Sequence, residues 1–445
     1  MEMELPRQVE QALARLSATG YDAYIVGGCV RDGLMGMPPG DYDIASNARP
    51  EEVARVFADA RVIETGAKHG TVTVRIDGMP LEITTFRHDG AYSDGRRPDA
   101  VTFVPDVTED LFRRDFTVNA MAYRPERGLL DPCGGREDIA ARVIRCVGAP
   151  ETRFREDALR ILRALRFAAV LDFSIEPETA RALCACRALL SHVSAERCAA
   201  ELCKLLCGRA VRRVLLEYTD VLGVVLPELL PMQGFQQHSP YHIYDVLEHS
   251  AASVEHIPAI PVLRLAALLH DVGKPETFSQ DADGTGHFYD HARRSAVLAD
   301  AALGRLRLDN ATRERVVTLI RWHDVPLTDT DKAVRRMLAK LSPEVFFQLL
   351  ALKRADNAAK CPTLQERFAF YDRVEARAKD ILARQDCFSL KRLAVNGDDL
   401  IAAGMRPGRA VGAALQGLLN AVMDGRVANE RAALLELWAL ENAAD

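Results

Sequence analysis

The segment Gly40-Asp41-Tyr42-Asp43-Ile44 sets two carboxylates two residues apart, and on a strand such side chains project from one face. Like charges held side by side repel, so the pair belongs either to a solvated edge strand or to a cation site. Two Mg2+ ions on such a pair activate a hydroxyl and hold a triphosphate. Glu82, in the run Leu81-Glu82-Ile83, is the candidate third acid from a neighbouring strand. Upstream, Gly27-Gly28 follows Tyr24-Ile25-Val26 and precedes Val30-Arg31-Asp32. Such a glycine turn opens a helix whose backbone amides can approach phosphate oxygens, with Arg31 adding charge, although a plain turn has the same pattern. Arg113 and Arg114 bring dense positive charge suited to triphosphate or primer phosphates.

Asp157 and Arg160 stand three apart in a helical run, with Arg163 and Arg166 continuing along that side. A carboxylate beside a guanidinium offers acceptor and donors in a fixed plane, which suits the Watson–Crick edge of a base. The same spacing also makes an ordinary helix salt bridge.

A second group of chemical residues lies further along. The histidines crowd between positions 238 and 323, where His270-Asp271 closes the apolar helix LRLAALL. His249 precedes that dipeptide, and His291, His323 with Asp324, and Asp356 follow it, all on expected helices. Imidazoles and carboxylates converging from several helices suit a divalent transition metal with positions left open for water. His238, His242, His256 and His287 are expected to cap helices or face solvent.

The elements that must carry these residues divide in two. Residues 22–123 hold short apolar runs, AYIVGG, DYDIAS, TVTVRI, LEITTF and AVTFV, that read as strands, with EEVARVFADA as a helix among them. From about residue 150 the strand signals stop, and DALRILRALRFAAVL, AAELCKLLCG and VLRLAALLHDVG run at helical spacing. Proline and glycine break the pattern near 226–234 and 360–363. With 445 residues, about three times a usual domain, the chain is expected to fold as several domains. The expected fold class is α+β, divided as a catalytic head over 1–148, a helical neck over 149–230, a histidine-bearing domain over 231–360 and a helical tail over 361–445.

Composition narrows the classes. A chain that is 48% hydrophobic and 27% charged is neither disordered nor fibrous. No window reaches the roughly 18 apolar residues that a membrane span needs, and the acidic start lacks a secretory signal, so a cytoplasmic location is expected. The net charge of −6, from 57 basic and 63 acidic residues, leaves room for a local basic groove. The ten cysteines include no CxxC pair and read as buried free thiols. In 361–445 eleven basic residues meet twelve acidic ones, so charge gives the tail no RNA-binding signature.

The ordered motifs GGCVRDGLMG, DYDIAS, Arg113-Arg114-Asp115-Phe116-Thr117-Val118-Asn119-Ala120, Asp131-Pro132 with Gly134-Gly135, and Glu156-Asp157-Ala158-Leu159-Arg160 resemble the class II tRNA nucleotidyltransferase and poly(A) polymerase family. Ser194-Ala195-Glu196-Arg197 with Glu201 resembles a further helical motif of that family. The resemblance implies a DNA polymerase β-type nucleotidyltransferase head with a mixed sheet, and all-α domains behind it. It implies Mg2+ on Asp41 and Asp43, base selection by Asp157 and Arg160, and phosphates or sugar at Arg163 and Arg166. The loop Arg87–Pro98 corresponds to one that helps the family's site switch from C to A addition. The implied activity is addition of C, C and A to the tRNA 3′ end from CTP and ATP, with neither membrane nor DNA as partner. A poly(A) polymerase or A-adding enzyme shares the motifs.

The order His, His-Asp, further His and final Asp resembles the HD phosphohydrolase superfamily. That likeness implies His249, His270, Asp271 and Asp356 around one ion, Ni, Co, Mn or Fe, and His291 and His323 around a second. Metal-dependent phosphohydrolysis is the rival main activity, and an HD fold without metal is the bland alternative.

Overall fold

The computed structural model describes residues 3–90, 101–239, 241–361 and 366–442. The chain divides into two compact units, Met1–Leu230 with Arg305–Leu308, and Pro231–Gly304 with Asp309–Asp445.

The first unit is built on a seven-stranded sheet. Its strands are β1 (Ala23–Val26), β2 (Asp43–Ser46), β3 (Arg61–Ile63), β4 (Thr71–Ile76), β5 (Met79–Thr85), β6 (Ala122–Arg124) and β7 (Gly128–Leu130), in the order β3-β4-β5-β2-β1-β6-β7. The sheet is mixed: β2 runs parallel to β5 and antiparallel to β1. Period-two patterning explains the faces. In β4, Val72, Val74 and Ile76 are buried, and in β5, Leu81 and Ile83 are buried while Glu82 between them is exposed. These residues join Ile25, Ile44, Phe57 and the helix α1 (Arg7–Ala18) in one core. Each fully buried Leu, Ile or Phe contributes roughly 1.5–3 kcal/mol, which fixes the register and so decides which residues remain on the other face.

Helices α2 (Gly28–Leu34), α3 (Pro50–Val56) and α4 (Val107–Phe112) accompany the sheet. Behind it come α5 (Pro150–Glu156), α6 (Leu159–Leu171) and α7 (Ala195–Leu206). The apolar positions of α6 and α7 pack the two helices together through Leu162, Leu165, Leu202 and Leu205, all buried.

The second unit is mainly helical. Its centre is formed by α8 (Val246–His256), α9 (Pro261–Leu269), α10 (His291–Arg305), α11 (Asn310–Trp322) and α12 (Pro343–Ala358). Two short strands or ribbons depart from the all-α expectation, Ser174–Ile175 in the first unit, paired with Val143–Ile144 of the head, and Phe278–Gln280 with Gly286–Phe288 in the second. Runs of two or three residues are too short to show alternation, which is why helical spacing masked them. Among the described residues no helix is long and apolar enough to cross a membrane.

Candidate active site and candidate metal centre

The parallel pairing of β2 and β5 sets Asp43 directly beside Glu82, so the third acid stands where a neighbouring strand was expected to bring it. Asp41, exposed, lies two residues ahead of β2 rather than on it. Burial, with the charges of Asp41 and Glu82, pushes the Asp43 carboxyl up to about 6 against the opposing pull of Arg114. A buried carboxyl held up beside two further acids, all of them oxygen donors, fits a divalent cation, so the residues suit Mg2+.

Asp43 and Glu82 line a cleft together with Arg113, Arg114, Asp157, Arg160 and Arg163. The buried carboxylate of Asp110 accepts from Arg113 Nη2 at 2.7 Å and from Arg114 Nη2 at 3.2 Å, which aims both guanidiniums. Gly27 has φ +78°, and a Cβ there would meet Arg114 Nη1 at 3.0 Å. Glycine is thus favoured by the turn's positive φ, and a Cβ there would press on that guanidinium. Arg31 donates to Asp32 at 2.7 Å and to Asn119 at 2.8 Å, and Arg166 sits over the Phe167 ring, 4.1 Å from its centre. Neither Arg31 nor Arg166 lines the cleft.

The base-reading candidates are held by unexpected partners. Asp157 lies in extended backbone between α5 and α6, and its Oδ1 accepts the Leu159 N–H at 3.0 Å. Its Oδ2 accepts from Arg197 Nη2 on α7 at 2.7 Å. Arg160 Nη1 donates to Glu156 at 2.5 Å and to the Arg153 carbonyl at 3.1 Å. Arg163 Nε donates to Asp115 at 2.8 Å, and although burial pushes Asp115 up, the Arg163 charge and hydrogen bond bring it down to about 2. Sequence reading missed Asp110, Glu156 and Asp115 as anchors and passed over Arg197 as a site residue. For Glu156, Asp115 and Arg197 the available signal was a place inside a motif, whereas Asp110 lies outside all of them. Of the loop at 87–98, Arg87–Asp89 pairs with Val101–Phe103 and Arg87 lines the cleft, while residues 91–98 lie outside the described residues.

In the second unit the expected histidines do converge. His249 on α8 and His291 at the start of α10 lie within helices, while His270 and His323 cap the ends of α9 and α11. Each turns Nδ1 to a backbone carbonyl, Ala359 at 3.3 Å, Phe288 at 2.8 Å, Ala267 at 2.8 Å and Ile320 at 2.6 Å for His249, His291, His270 and His323. A carbonyl only accepts, so Nδ1 carries a proton and Nε2 is the ring atom turned inward.

Inside, His249 Nε2 is 3.0 Å from Asp356 Oδ1 and 3.5 Å from Asp271 Oδ2, and His270 Nε2 is 3.2 Å from that same Asp271 oxygen. Asp271 Oδ1 faces His291 at 3.4 Å and His323 at 3.6 Å, and those two Nε2 atoms are 3.2 Å apart. Asp271 is thus common to two groups, one with His249 and His270 and one with His291 and His323, each of which would hold a cation. Buried Asp271 Oδ1 and Oδ2 and His270 Nε2 make no hydrogen bond of good geometry, and Oδ2 is instead ion-paired with Lys274 Nζ at 2.7 Å. Imidazole Nε2 atoms and carboxylate oxygens gathered at these distances from several helices form a donor set that fits a divalent metal, which would take the place of the protons they share. Burial opposes charge on His270, but the neighbouring Asp271 and Asp356 raise it to about 9. Burial lowers His323 to about 4.

His242 departs from the expectation that it caps a helix or faces solvent. It lines the same cavity, its ring lies 5.3 Å from that of His249, and both ring nitrogens are buried without a partner. Lys353, also unforeseen, donates to the His323 carbonyl at 2.5 Å and to the Val325 carbonyl at 2.7 Å, holding the end of α11.

Comparison with known proteins gives three family matches along the chain. Residues 23–145 match the Poly A polymerase head domain, 172–232 the Probable RNA and SrmB-binding site of polymerase A, and 288–438 the tRNA nucleotidyltransferase domain 2. The CCA-adding enzyme of Levilactobacillus brevis is 33% identical over 443 residues, 98% of this chain and 99% of that protein. That of Geobacillus stearothermophilus is 51% identical over 203 residues, 46% of this chain, and the match spans only 50% of that relative's length. The crystal structure of the Bacillus stearothermophilus CCA-adding enzyme in complex with CTP superposes with TM-score 0.75 at 31% identity, over 98% of both chains.

Proposed function

The chain belongs to the family of CCA-adding enzymes, and from that membership we propose that it completes the 3′ CCA end of tRNA from CTP and ATP without a nucleic-acid template. The observation that carries this reading is one cleft holding both the Asp43–Glu82 carboxylate pair and the Asp157 and Arg160 side chains. Cytosine and adenine both present an exocyclic amino donor beside a ring-nitrogen acceptor, whereas uracil and guanine present the reverse order. Asp157 accepts from the amino group and Arg160 donates to the ring nitrogen, so one pair admits both bases and rejects the others.

Arg113, Arg114 and Arg163 hold the triphosphate, and Asp41, Asp43 and Glu82 hold Mg2+. When bound, magnesium supplies charge neutralisation at the phosphates and acidifies the attacking hydroxyl. The RNA 3′ oxygen forms its bond to the α-phosphorus as the bond to the pyrophosphate oxygen breaks, with the carboxylates keeping the reacting groups in line. The head is assigned to 1–148, base selection and RNA binding to the neck over 149–230, and tRNA binding by shape and phosphate to the tail over 361–445, behind the histidine-bearing domain over 231–360. Ten free cysteines, five of them buried, suit a reducing cytoplasm. Incubation with tRNA lacking CCA, followed by product sequencing, tests the proposal. Restoration of CCA is expected, and a ladder of A alone would favour the poly(A) or A-adding reading.

A second reading rests on the inward-facing imidazole nitrogens and carboxylates of the second unit. There His249, His270, Asp271 and Asp356, with His291 and His323 beyond the Asp271 bridge, hold one or two divalent transition metals for phosphoester hydrolysis. Hydrolysis of 2′,3′-cyclic AMP with added nickel or cobalt tests it, and inactivity with every metal removes it.

A further inference from the structure

Helix α4 buries Val107 and Leu111, and between them it buries an acid, Asp110, whose side chain is 0% exposed. A carboxylate so withdrawn from water is costly unless donors surround it. Asp110 Oδ1 accepts from Arg113 Nε at 2.9 Å, from Arg113 Nη2 at 2.7 Å and from the Arg87 backbone N–H at 3.3 Å. Its Oδ2 accepts from Arg114 Nη2 at 3.2 Å. Burial pushes this carboxyl up, but the charges of Arg113 and Arg114 bring it below the ordinary carboxylate value, so it is ionised. Arg87, Arg113 and Arg114 all line the cleft that holds Asp43 and Glu82, whereas Asp110 does not. Arg87 is held at its other end too, where its guanidinium donates to the His69 carbonyl and its strand pairs with Val101–Phe103.

One buried acid thus anchors three cleft arginines, and it acts on a bound polyphosphate in two opposite ways. A guanidinium already fixed has given up the rotamer freedom that gripping a phosphate would otherwise cost. The negative charge behind the arginines also repels the phosphates. Aiming and repulsion therefore predict opposite signs when the charge is removed.

We propose that Asp110 is the positioning residue of the nucleotide's polyphosphate site, holding Arg113 and Arg114 by their guanidiniums and Arg87 by its backbone, with aiming outweighing repulsion. The proposal rests on the nucleotide reading of the cleft given above. Asp110 touches no substrate and acts only through the arginines.

The test is calorimetric titration of the full chain with CTP and with pyrophosphate, in the presence of Mg2+, for the wild type and Asp110→Asn. The asparagine presents an amino group where one oxygen accepted, so at least one arginine loses its anchor. Binding of both ligands is expected to weaken about tenfold or more, the worth of one charged hydrogen bond. The KM for CTP should rise to match, with kcat changed by less than about threefold, since the loss falls on binding shared by ground and transition states. Preference for CTP and ATP over UTP and GTP should stay unchanged, because Asp110 holds neither Asp157 nor Arg160. In a background of Arg113→Gln with Arg114→Gln, Asp110→Asn is expected to alter CTP affinity by less than about twofold, as little remains to be aimed. Asp110→Glu keeps the charge and moves it by one methylene, and serves if the asparagine variant fails to fold; it is expected to weaken CTP binding about threefold or more. Tighter or unchanged CTP binding by Asp110→Asn overturns the proposal, as does an equal loss in both backgrounds. A wild type that binds neither CTP nor pyrophosphate removes the nucleotide site itself, and the proposal with it.

Discussion

Arg197 Nη2 lies 2.7 Å from Asp157 Oδ2, across 40 residues of chain, and this bond turns the carboxylate that faces the cleft. Arg160, three residues from Asp157, is meanwhile occupied with Glu156. The acceptor and the donor of the base-reading pair are thus each steadied by a partner outside the pair. Asp157→Ala is expected to admit UTP and GTP, discrimination falling by about 10–100-fold as a charged hydrogen bond worth roughly 1.5–3 kcal/mol is lost. Arg197→Ala, which leaves the acceptor in place but loose, is expected to cost less fidelity. Competition assays with all four nucleotides decide this, and unchanged preference in Asp157→Ala would return the residue to a structural role.

Asp43→Ala or Asp41→Ala is expected to lower kcat about 10³-fold or more, because a metal ligand worth several kcal/mol of transition-state stabilisation is removed. More CTP should give no rescue, since the deficit is not in ground-state binding. Near-normal incorporation by a folded variant would refute the assignment.

The raised Asp43 carboxyl, at about 6, sets a pH dependence. Metal binding needs the ionised form, so at limiting Mg2+ activity is expected to fall as pH drops through about 6, and the midpoint to move lower as Mg2+ rises. Stability runs the opposite way. The folded value lies above the ordinary 3.8, so the folded state binds the proton more tightly. The favourable contribution is complete below about 4 and is lost as pH rises through about 6. Asp43→Asn is therefore expected to raise Tm at neutral pH in chelator while abolishing addition. A midpoint that ignores Mg2+ would count against metal on this carboxylate.

Gly27→Ala places a side chain at φ +78° and within 3.0 Å of Arg114. The backbone strain costs roughly 1–3 kcal/mol. We expect a Tm lower by several degrees and a raised KM for CTP, because the displaced guanidinium is one of those aimed into the cleft. Unaltered KM with lowered Tm would separate the turn from the nucleotide site.

His270→Ala combined with Asp271→Ala is expected to leave CCA addition largely intact while removing metal-dependent hydrolysis of 2′,3′-cyclic AMP and of nitrophenyl phosphates. Addition serves as the folding control. Loss of both activities in a folded protein would mean that the two centres are not independent.

Much of this was legible in one dimension. Period-two alternation put Glu82 on the face opposite Leu81 and Ile83, and the glycine pair after Tyr24-Ile25-Val26 marked the turn into a helix. Apolar helical spacing ending at His270-Asp271 placed that dipeptide at a helix terminus. These features follow from local periodicity, in which the burial of one residue fixes the direction of its neighbours. What tertiary structure alone decided is who meets whom. The parallel β2–β5 pairing that sets Asp43 beside Glu82 depends on a crossover, and spacing along the chain does not encode strand order. The spacing of Asp157 and Arg160 suggested an intrahelical pair, yet Asp157 falls in extended backbone ahead of the helix, where α7 supplies Arg197. His242, Lys274 and Lys360 enter the metal cavity because separate helices and loops close around it. Side-chain charges acquire their chemistry from neighbours within a few ångströms, and only the packed fold fixes those neighbours.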